Sequence, residues 1–249
     1  MTDAIRIEIK GEVAELCLCA PERRNAIGSR EINLVKSAID SIPDYCRLFV
    51  IRSEGPVFCA GANLKEISDG TMDGDDFQSM TNAIASLAMP SLAIVEGDVF
   101  GGGAELLFSC DFRLGVAGKH LKIPAAAVGL CYPVEGIQRM TQRLGSTLVR
   151  KLLLTTESVC FEELAQHNAF DWLVPSTDIK AESEALIARF TDLAPLSMAS
   201  MLAIIKAVEE GRFDRTAAQA MADKCSQSED LLEGLLAMRE KRAPVFKRR

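Results

Sequence analysis

The sequence has few of the side chains that mark nucleophilic or metal chemistry, and few large aromatic ones. Among its 249 residues are two histidines, two tyrosines and one tryptophan. His120 and His167 lie outside any nucleophile-elbow motif, which excludes a serine-hydrolase triad. An ordinary surface or core position is favoured for both histidines over a place for His120 in the wall of a ligand pocket. The eight cysteines are scattered without a C-x-x-C pair. That spacing predicts buried, reduced thiols and no metal site.

Basic charge and long apolar segments are also scarce. A net charge of −7 argues against nucleic acid or an anionic membrane as a partner. No apolar run approaches the length of a membrane-spanning helix, and the amino terminus has no signal-peptide pattern. We therefore expect a cytoplasmic protein. An anionic ligand needs a local basic patch, such as Arg23-Arg24 or the tail from Lys241 to Arg249.

The stretch from Glu96 to Asp111, EGDVFGGGAELLFSCD, contains three consecutive glycines. These glycines follow a predicted buried strand and open an apolar run typical of a buried helix. The free N–H groups and the dipole at such a helix start favour negative charge. Glu105 lies three residues after Gly102, about one turn along the same helix face. The stretch is typical either of a carboxylate beside an anion-stabilising backbone site or of tight helix–strand packing alone.

The order of the other patterns predicts an α/β protein with a helical carboxy-terminal part. Apolar segments typical of strands lie at 5–9, 13–18, 47–52, 91–97, 112–116 and 121–123. Helical spacing of apolar residues occurs at 30–42, 62–68, 75–87, 135–143, 146–154, 161–167, 179–193, 196–210, 215–225 and 229–240. Because strands alternate with helices, βαβ units and a largely parallel sheet are expected.

A second stretch, Phe58 to Ile67, also leads from a strand through small residues into a helix. A backbone N–H at Ala62 can therefore face a ligand, as one at Gly102 can. Two such groups would form the paired donors of an oxyanion hole if the fold brings them together.

Four motifs occur in one order along the chain, at 24–27, 57–67, 95–114 and 228–246. They read RNAI, VFCAGANLKEI, VEGDVFGGGAELLFSCDFRL and SEDLLEGLLAMREKRAPVF. This combination resembles the crotonase, or enoyl-CoA hydratase/isomerase, superfamily. The resemblance implies the repeated ββα core of the ClpP/crotonase spiral. It implies an acyl-CoA site within residues 1–190 and a helical region, 191–249, that completes the site and forms a homotrimer or a dimer of trimers.

The resemblance also implies an acyl-CoA thioester substrate and no cofactor beyond the CoA of that substrate. The N–H groups of Ala62 and Gly102 would hold the thioester carbonyl as it becomes an enolate, with Glu105 as the acid/base. The implied contacts to CoA are at Arg23, Ala60, Ala62 and, from a neighbouring subunit, Lys241.

The chain departs from the family pattern at the second of the two glutamates that family hydratases carry. That glutamate normally follows a proline, and here Ala125 follows Pro124. Alanine cannot transfer a proton. Glu135, ten residues later, is a candidate substitute, although a first-turn acid also complements a helix dipole without catalysis. Asn63 replaces the aspartate common after CAGA and is expected to cap a helix.

Two classes of function follow. The first is an enzyme of the enoyl-CoA hydratase/isomerase class with Glu105 as acid/base, or a decarboxylase or hydrolase variant of it. The second is an acyl-CoA-binding protein that has lost turnover. The acyl chain and the reaction among these stay open.

Overall fold

Ten short strands form two sheets in the computed structural model, which describes residues 4–247; Met1–Asp3 and the tail residues Arg248 and Arg249 lie outside the described residues. The strands are β1 Ile5–Lys10, β2 Val13–Leu18, β3 Leu48–Ser53, β4 Val57–Cys59, β5 Ser91–Val95, β6 Asp98–Phe100, β7 Phe112–Val116, β8 His120–Lys122, β9 Val159–Cys160 and β10 Trp172–Val174. One sheet has the order β1-β2-β3-β5-β7-β10 and the other β4-β6-β8-β9. Only the β1–β2 and β8–β9 pairs are antiparallel among these strands.

The two sheets are built from the same repeating step. β3, β5 and β7 lie in the larger sheet, and each is followed directly by a strand of the smaller one, β4, β6 and β8. Helical chain follows each pair, so the predicted ββα repeat is confirmed. The sequence patterns missed β4, β6, β9 and β10 because strands of two or three residues have too little length for alternation to show.

Ten α-helices connect and cover the sheets within residues 4–247. They are α1 Ser29–Asp40, α2 Leu64–Asp69, α3 Gly74–Ala85, α4 Gly102–Ser109, α5 Val134–Arg150, α6 Phe161–Ala165, α7 Ile179–Thr191, α8 Pro195–Glu209, α9 Arg215–Ser226 and α10 Glu229–Glu240. The two predicted helices, 135–143 and 146–154, are confirmed as the two parts of α5, which is broken by a kink at the non-helical Gly145 (φ 76°) and continues into a π-helical turn, Lys151–Thr155. Asn63 caps α2 as predicted, since its side chain accepts a hydrogen bond from Lys65 N.

The central strands of the larger sheet, β2, β3, β5 and β7, are mostly buried on both faces, which explains their largely apolar sequences, whereas the edge strand β1 is mostly exposed. In β3, Phe49 and Ile51 face the main core, which contains α1, α3, α4 and α5. Leu48 and Val50 face a smaller core closed by α7 and the start of α8, including Leu186. The glycine-rich turn before α4 follows β6 of the smaller sheet, and α4 is buried from Gly103 to Ser109.

The length and apolar composition needed to cross a bilayer are found in no single helix of residues 4–247. Helices α7 and α8 meet them only when joined, and these two are bent by 99° at their junction. The limit between the segments 1–190 and 191–249 falls at the end of α7, and that division stays a prediction.

Candidate active site

Two segments that are far apart in the chain meet at the start of α4. A Cβ placed on Gly61 would lie 2.4 Å from Gly102 N and 3.1 Å from Gly102 Cα. Gly61 itself has a φ of 87°, a conformation that favours glycine. Only glycine at position 61 permits this approach, so the Gly61–Ala62 backbone lies directly against the first turn of α4.

The way this segment is held leaves the amide of Ala62 without a backbone acceptor among residues 4–247. Ile27 N donates to Gly61 O at 2.9 Å and Asn63 N donates to Ile27 O at 2.8 Å, a parallel bridge centred on Ala62. In extended backbone, successive N–H groups point to opposite sides, so Ala62 N–H points away from Ile27. Gly102 N–H is a first-turn amide of α4 and has no intrahelical acceptor. The two predicted donors therefore lie on neighbouring segments, and their binding to a ligand stays a prediction.

Glu105 is on the first turn of α4 and is fully buried. Its Oε1 accepts a hydrogen bond of 2.7 Å from Thr81 Oγ1, while its Oε2 has no hydrogen-bond partner among residues 4–247. Burial raises the pKa of this carboxyl above its ordinary value, against the opposing effects of the Thr81 hydrogen bond and the Arg139 charge. A buried carboxylate with an unpaired oxygen and a raised pKa is suited to accept a proton near neutral pH.

Helix α3 closes this site from one side. Its buried residues, Phe77, Met80, Thr81 and Ile84, recur at helical spacing and face α4. A Cβ on Gly102 would lie 2.9 Å from the Phe77 ring, so that ring covers the first turn of α4. Thr81 was missed from the sequence, and the available signal was a polar residue on an otherwise apolar helix face.

A polar network links α3 to α5 next to Glu105. Arg139 Nη2 donates to Asn82 Oδ1 at 2.8 Å, and Asn82 Nδ2 donates to the Glu135 carboxylate. Burial lowers the pKa of Arg139, and its Nη1 is buried without a partner among the described residues. The charge of Glu135 contributes to the raised pKa of Glu105. Glu135 is exposed, and its charge acts on Glu105. A catalytic role for Glu135 stays a prediction.

Ala125 is buried with 8% of its surface exposed, and its methyl group is part of the main core. The alanine at the position implied for the second family glutamate therefore packs in the core. Tyr132 lies near the same site, because a Cβ on Gly136 would lie 3.0 Å from Tyr132 Cε1 and 3.1 Å from Glu105 Cδ. Its hydroxyl donates to Gly101 O at 3.1 Å. A contact between residues so distant in sequence leaves no local pattern.

The residues predicted to contact CoA lie in different surroundings. Arg23 Nη2 forms an ion pair of 3.1 Å with Glu31. Ala60 is part of the segment that reaches the site, and its N–H donates to Arg24 O at 2.9 Å. Lys241 is exposed at the end of α10. Their contacts to CoA stay predictions.

His120 lies away from the candidate site. It is at the first residue of β8, whereas Gly101 bonds to Lys122 O at the other end of that strand. Its side chain is about half exposed, and its Nδ1 is 3.9 Å from Asp98. The position matches the expected surface histidine.

Two of the scattered cysteines come together with a carboxylate. Cys17, Cys19 and Glu54 each offer a ligand atom within 4.8 Å of the others. However, burial raises the pKa of the Cys17 thiol to about 12, and the guanidinium of Arg6 bonds to Glu54 at 3.0 Å. Both features oppose a cation at this position, and we assign no metal to it.

Five surface cavities of about 310 to 680 Å³ occur within residues 4–247, and none of these five is lined by Ala62, Gly102 or Glu105. The largest of the five lies among the apolar residues of α10. One of the five, of about 340 Å³, is lined by Asn82, Glu135 and Arg139, so open volume lies beside the polar network next to Glu105, whereas the Phe77 ring covers Gly102.

Comparison with known proteins finds similarity over nearly the whole chain. A family model described as enoyl-CoA hydratase/isomerase matches residues 8–249. A carnitinyl-CoA dehydratase of Proteus mirabilis is 28% identical over 263 residues, covering 100% of both chains. A probable enoyl-CoA hydratase of Bacillus subtilis is 28% identical, covering 98% of this chain and 99% of that protein.

Solved structures resemble the whole chain. The crystal structure of an enoyl-CoA hydratase/carnithine racemase from Magnetospirillum magneticum has a TM-score of 0.92 at 22% identity, covering 100% of this chain and 97% of that chain. A putative enoyl-CoA hydratase from Streptomyces coelicolor has a TM-score of 0.89 at 24% identity, covering 99% of this chain and 94% of that chain. At these identities the likeness shows a shared fold.

Proposed function

This chain belongs to the enoyl-CoA hydratase/isomerase family, and from that premise we propose that it processes acyl-CoA thioesters through an enolate. One observation carries the proposal. The Gly61–Ala62 backbone lies against the start of α4, and the buried, partly unpaired carboxylate of Glu105 follows one turn later. Amide donors beside a proton acceptor are what enolate formation requires.

In the proposed reaction, the thioester carbonyl oxygen accepts hydrogen bonds from the N–H groups of Ala62 and Gly102. Glu105 takes a proton from the carbon next to the carbonyl, and the C–H electron pair forms a new C=C bond. Negative charge moves to the carbonyl oxygen, where the two donors and the dipole of α4 stabilise it. In an ester that already has a β,γ double bond, return of the proton to the γ carbon moves that double bond to the α,β position as the C=O bond forms again.

Hydration needs a second group that holds and activates water. Ala125 cannot do this, and Glu135 is the nearest candidate because its charge acts on Glu105. Glu135→Gln tests it: loss of hydration with double-bond isomerisation intact assigns Glu135 to the water. Equal loss of both reactions, or of neither, contradicts that role. We propose isomerisation as the reaction that the described groups support best.

Substrate reaches Glu105 only when a neighbouring element moves, because Glu105 has no solvent-exposed surface, and we propose that α3 is that element. The hydrogen bond between Thr81 and Glu105 and the Phe77 ring over Gly102 are the contacts that separate. A substrate carbonyl that replaces the Phe77 contact at Gly102 offers a hydrogen bond in its place.

A panel of CoA esters, assayed separately for binding and turnover, tests the proposal. A ligand at a hundred times its dissociation constant adds about 2.7 kcal/mol to the free energy of unfolding. We expect acetyl-CoA and crotonyl-CoA to raise the melting temperature more than free CoA does. The absence of a shift with every ester would refute acyl-CoA binding.

A second candidate function is acyl-CoA binding without turnover. The closed contact of α3 on Glu105 and the alanine at 125 favour it. Solvent deuterium exchange at the carbon next to the carbonyl separates the two. A bound ester that neither exchanges nor reacts supports the binding protein, whereas exchange supports the enzyme.

The contacts to CoA are proposed at Arg23, Ala60, Ala62 and the Lys241 of a neighbouring subunit. No cofactor beyond CoA enters this reaction. Arg23→Ala and Lys241→Ala should each lower the affinity for CoA esters. The affinity for short pantetheine thioesters should stay unchanged, because these compounds lack the nucleotide. If both variants bind the full CoA ester with the affinity of wild type, the assignment is contradicted.

A homotrimer or a dimer of trimers is proposed because large apolar side chains are exposed on the last three helices. These are Met201, Ile205, Val208, Met221, Leu231, Leu232, Leu235 and Met238. Burial between subunits removes such surface from water. Light scattering that finds a 27.0 kDa monomer at micromolar concentration contradicts the assembly.

The eight free thiols suit a reducing cytoplasm, which cell fractionation tests.

A further inference from the structure

Tyr132 is a polar residue inside the main core, with 6% of its surface exposed. Its hydroxyl donates to Gly101 O at 3.1 Å, across 31 residues of sequence. Gly101 also donates from its own N–H to Lys122 O at 2.9 Å and has a φ of 51°. The hydroxyl therefore acts on a backbone turn that is already held on its other side.

The carbonyl of Gly101 and the N–H of Gly102 belong to one planar peptide group. A hydrogen bond accepted by the oxygen draws electron density from the nitrogen, so the N–H becomes a stronger donor. Ala104 N donates to the same oxygen at 3.1 Å, which leaves one lone pair for Tyr132. Tyr132 thus acts on the amide at the start of α4 without lying on α4.

We propose that Tyr132 is a positioning residue of the oxyanion site, whose hydroxyl holds the Gly101–Gly102 peptide plane and strengthens the Gly102 N–H donor. This rests on the proposed function, because it assigns Gly102 N–H to the thioester oxygen. The ring of Tyr132 and the carboxyl of Glu105 both pack against Gly136. One side chain therefore supports the donor and borders the base.

The hydroxyl of Tyr132 remains a hydrogen-bond donor at the pH of these experiments. Burial raises the pKa of Tyr132 well above its ordinary value, so the phenol stays protonated. Packing alone does not need the oxygen, since phenylalanine fills the same volume apart from that atom. The hydroxyl is thus the part of Tyr132 that the experiment removes.

The test compares Tyr132→Phe with Tyr45→Phe, which alters the other tyrosine of the chain at an exposed position. Tyr132→Phe should fold, because Gly101 O keeps its bond from Ala104. One oxyanion donor contributes about 10²–10³-fold to kcat, and cooperativity changes a bond by about 10–30%. We expect kcat to fall about 2- to 8-fold in Tyr132→Phe, with little change in KM.

Two spectroscopic readouts separate this role from packing. The infrared stretch of a ¹³C-labelled thioester carbonyl should move less on binding to Tyr132→Phe than on binding to wild type or Tyr45→Phe. The amide proton of Gly102, observed with labelled glycine and no ligand, should move upfield in Tyr132→Phe alone. An unchanged Gly102 amide overturns the inference, as does a fall in kcat without a change in the carbonyl frequency. Wild-type protein that binds no thioester refutes the proposed function, whereas the Gly102 amide still reports on Tyr132.

Discussion

Glu105→Gln replaces one buried carboxylate by an amide of nearly the same shape. Thr81 Oγ1, which donates to Glu105 Oε1 at 2.7 Å, can donate equally to the amide oxygen. The other oxygen, Oε2, has no partner among residues 4–247, so its replacement by NH₂ breaks no hydrogen bond within them. The substitution therefore removes the base while the packing between α3 and α4 is kept.

The expected loss of turnover follows from the role of the group. A positioned acid or base contributes about 10²–10⁴-fold to the rate. We expect kcat to fall at least 10²-fold in Glu105→Gln. The affinity for CoA esters should be nearly unchanged, because in the proposed function the thioester oxygen is held by the backbone amides of Ala62 and Gly102. Wild-type activity should rise with pH through the raised pKa of Glu105, since the base must be ionised.

The assay measures turnover and solvent deuterium exchange at the carbon next to the carbonyl in the same samples. Exchange should disappear together with turnover in Glu105→Gln. Thermal shift with the same ester provides the affinity. A variant that exchanges and turns over like wild type refutes the role of Glu105 and makes Glu135 the residue to test, whereas loss of ester affinity would show that the variant disturbs the oxyanion site.

Three further predictions concern the same region. Because the pKa of Glu105 is raised in the folded protein, its contribution to stability is full below its ordinary pKa of 4.5 and is lost as the pH rises through the folded-state pKa. Thermal unfolding measured from about pH 4 to pH 8 should therefore show that wild type loses stability relative to Glu105→Gln. Parallel stability curves of the two proteins contradict this. Thr81→Val removes a hydrogen bond that lowers the Glu105 pKa, so the acid limb of the pH–rate profile should move to higher pH, and an unmoved limb argues against the contact. Gly103→Ala places a Cβ 2.4 Å from Cys59 O and should lower the free energy of unfolding by about 1–3 kcal/mol in urea titration, whereas Gly74→Ala, with nothing within 4 Å, serves as its control.

Much of the candidate site could be predicted because it depends on local spacing. The glycines at 101–103 and the three-residue offset of Glu105 place donor and carboxylate on one helix turn wherever that helix lies. Asn63 was expected as a cap and is one, since capping involves only the next few residues. The ββα repeat was implied by the motifs, although four of its short strands were too brief to be recognised.

The partners of Glu105 could not be predicted, because they come from other elements. Thr81 is 24 residues away from Glu105, Tyr132 is 31 residues from the carbonyl that it bonds, and Arg139 is 57 residues from Asn82. None of these pairs has a local period or motif that links its members.

The sequence by itself determined that a free helix-start amide and a carboxylate lie one turn apart, because helix geometry relates residues three or four positions apart. It also determined the family, through four motifs in order. Only the tertiary structure decided that Gly61 lies against Gly102, that α3 covers Glu105, and that burial raises the pKa of that carboxyl. The physical reason is that desolvation and donor convergence depend on which distant segments pack together, and packing is a property of the folded chain as a whole.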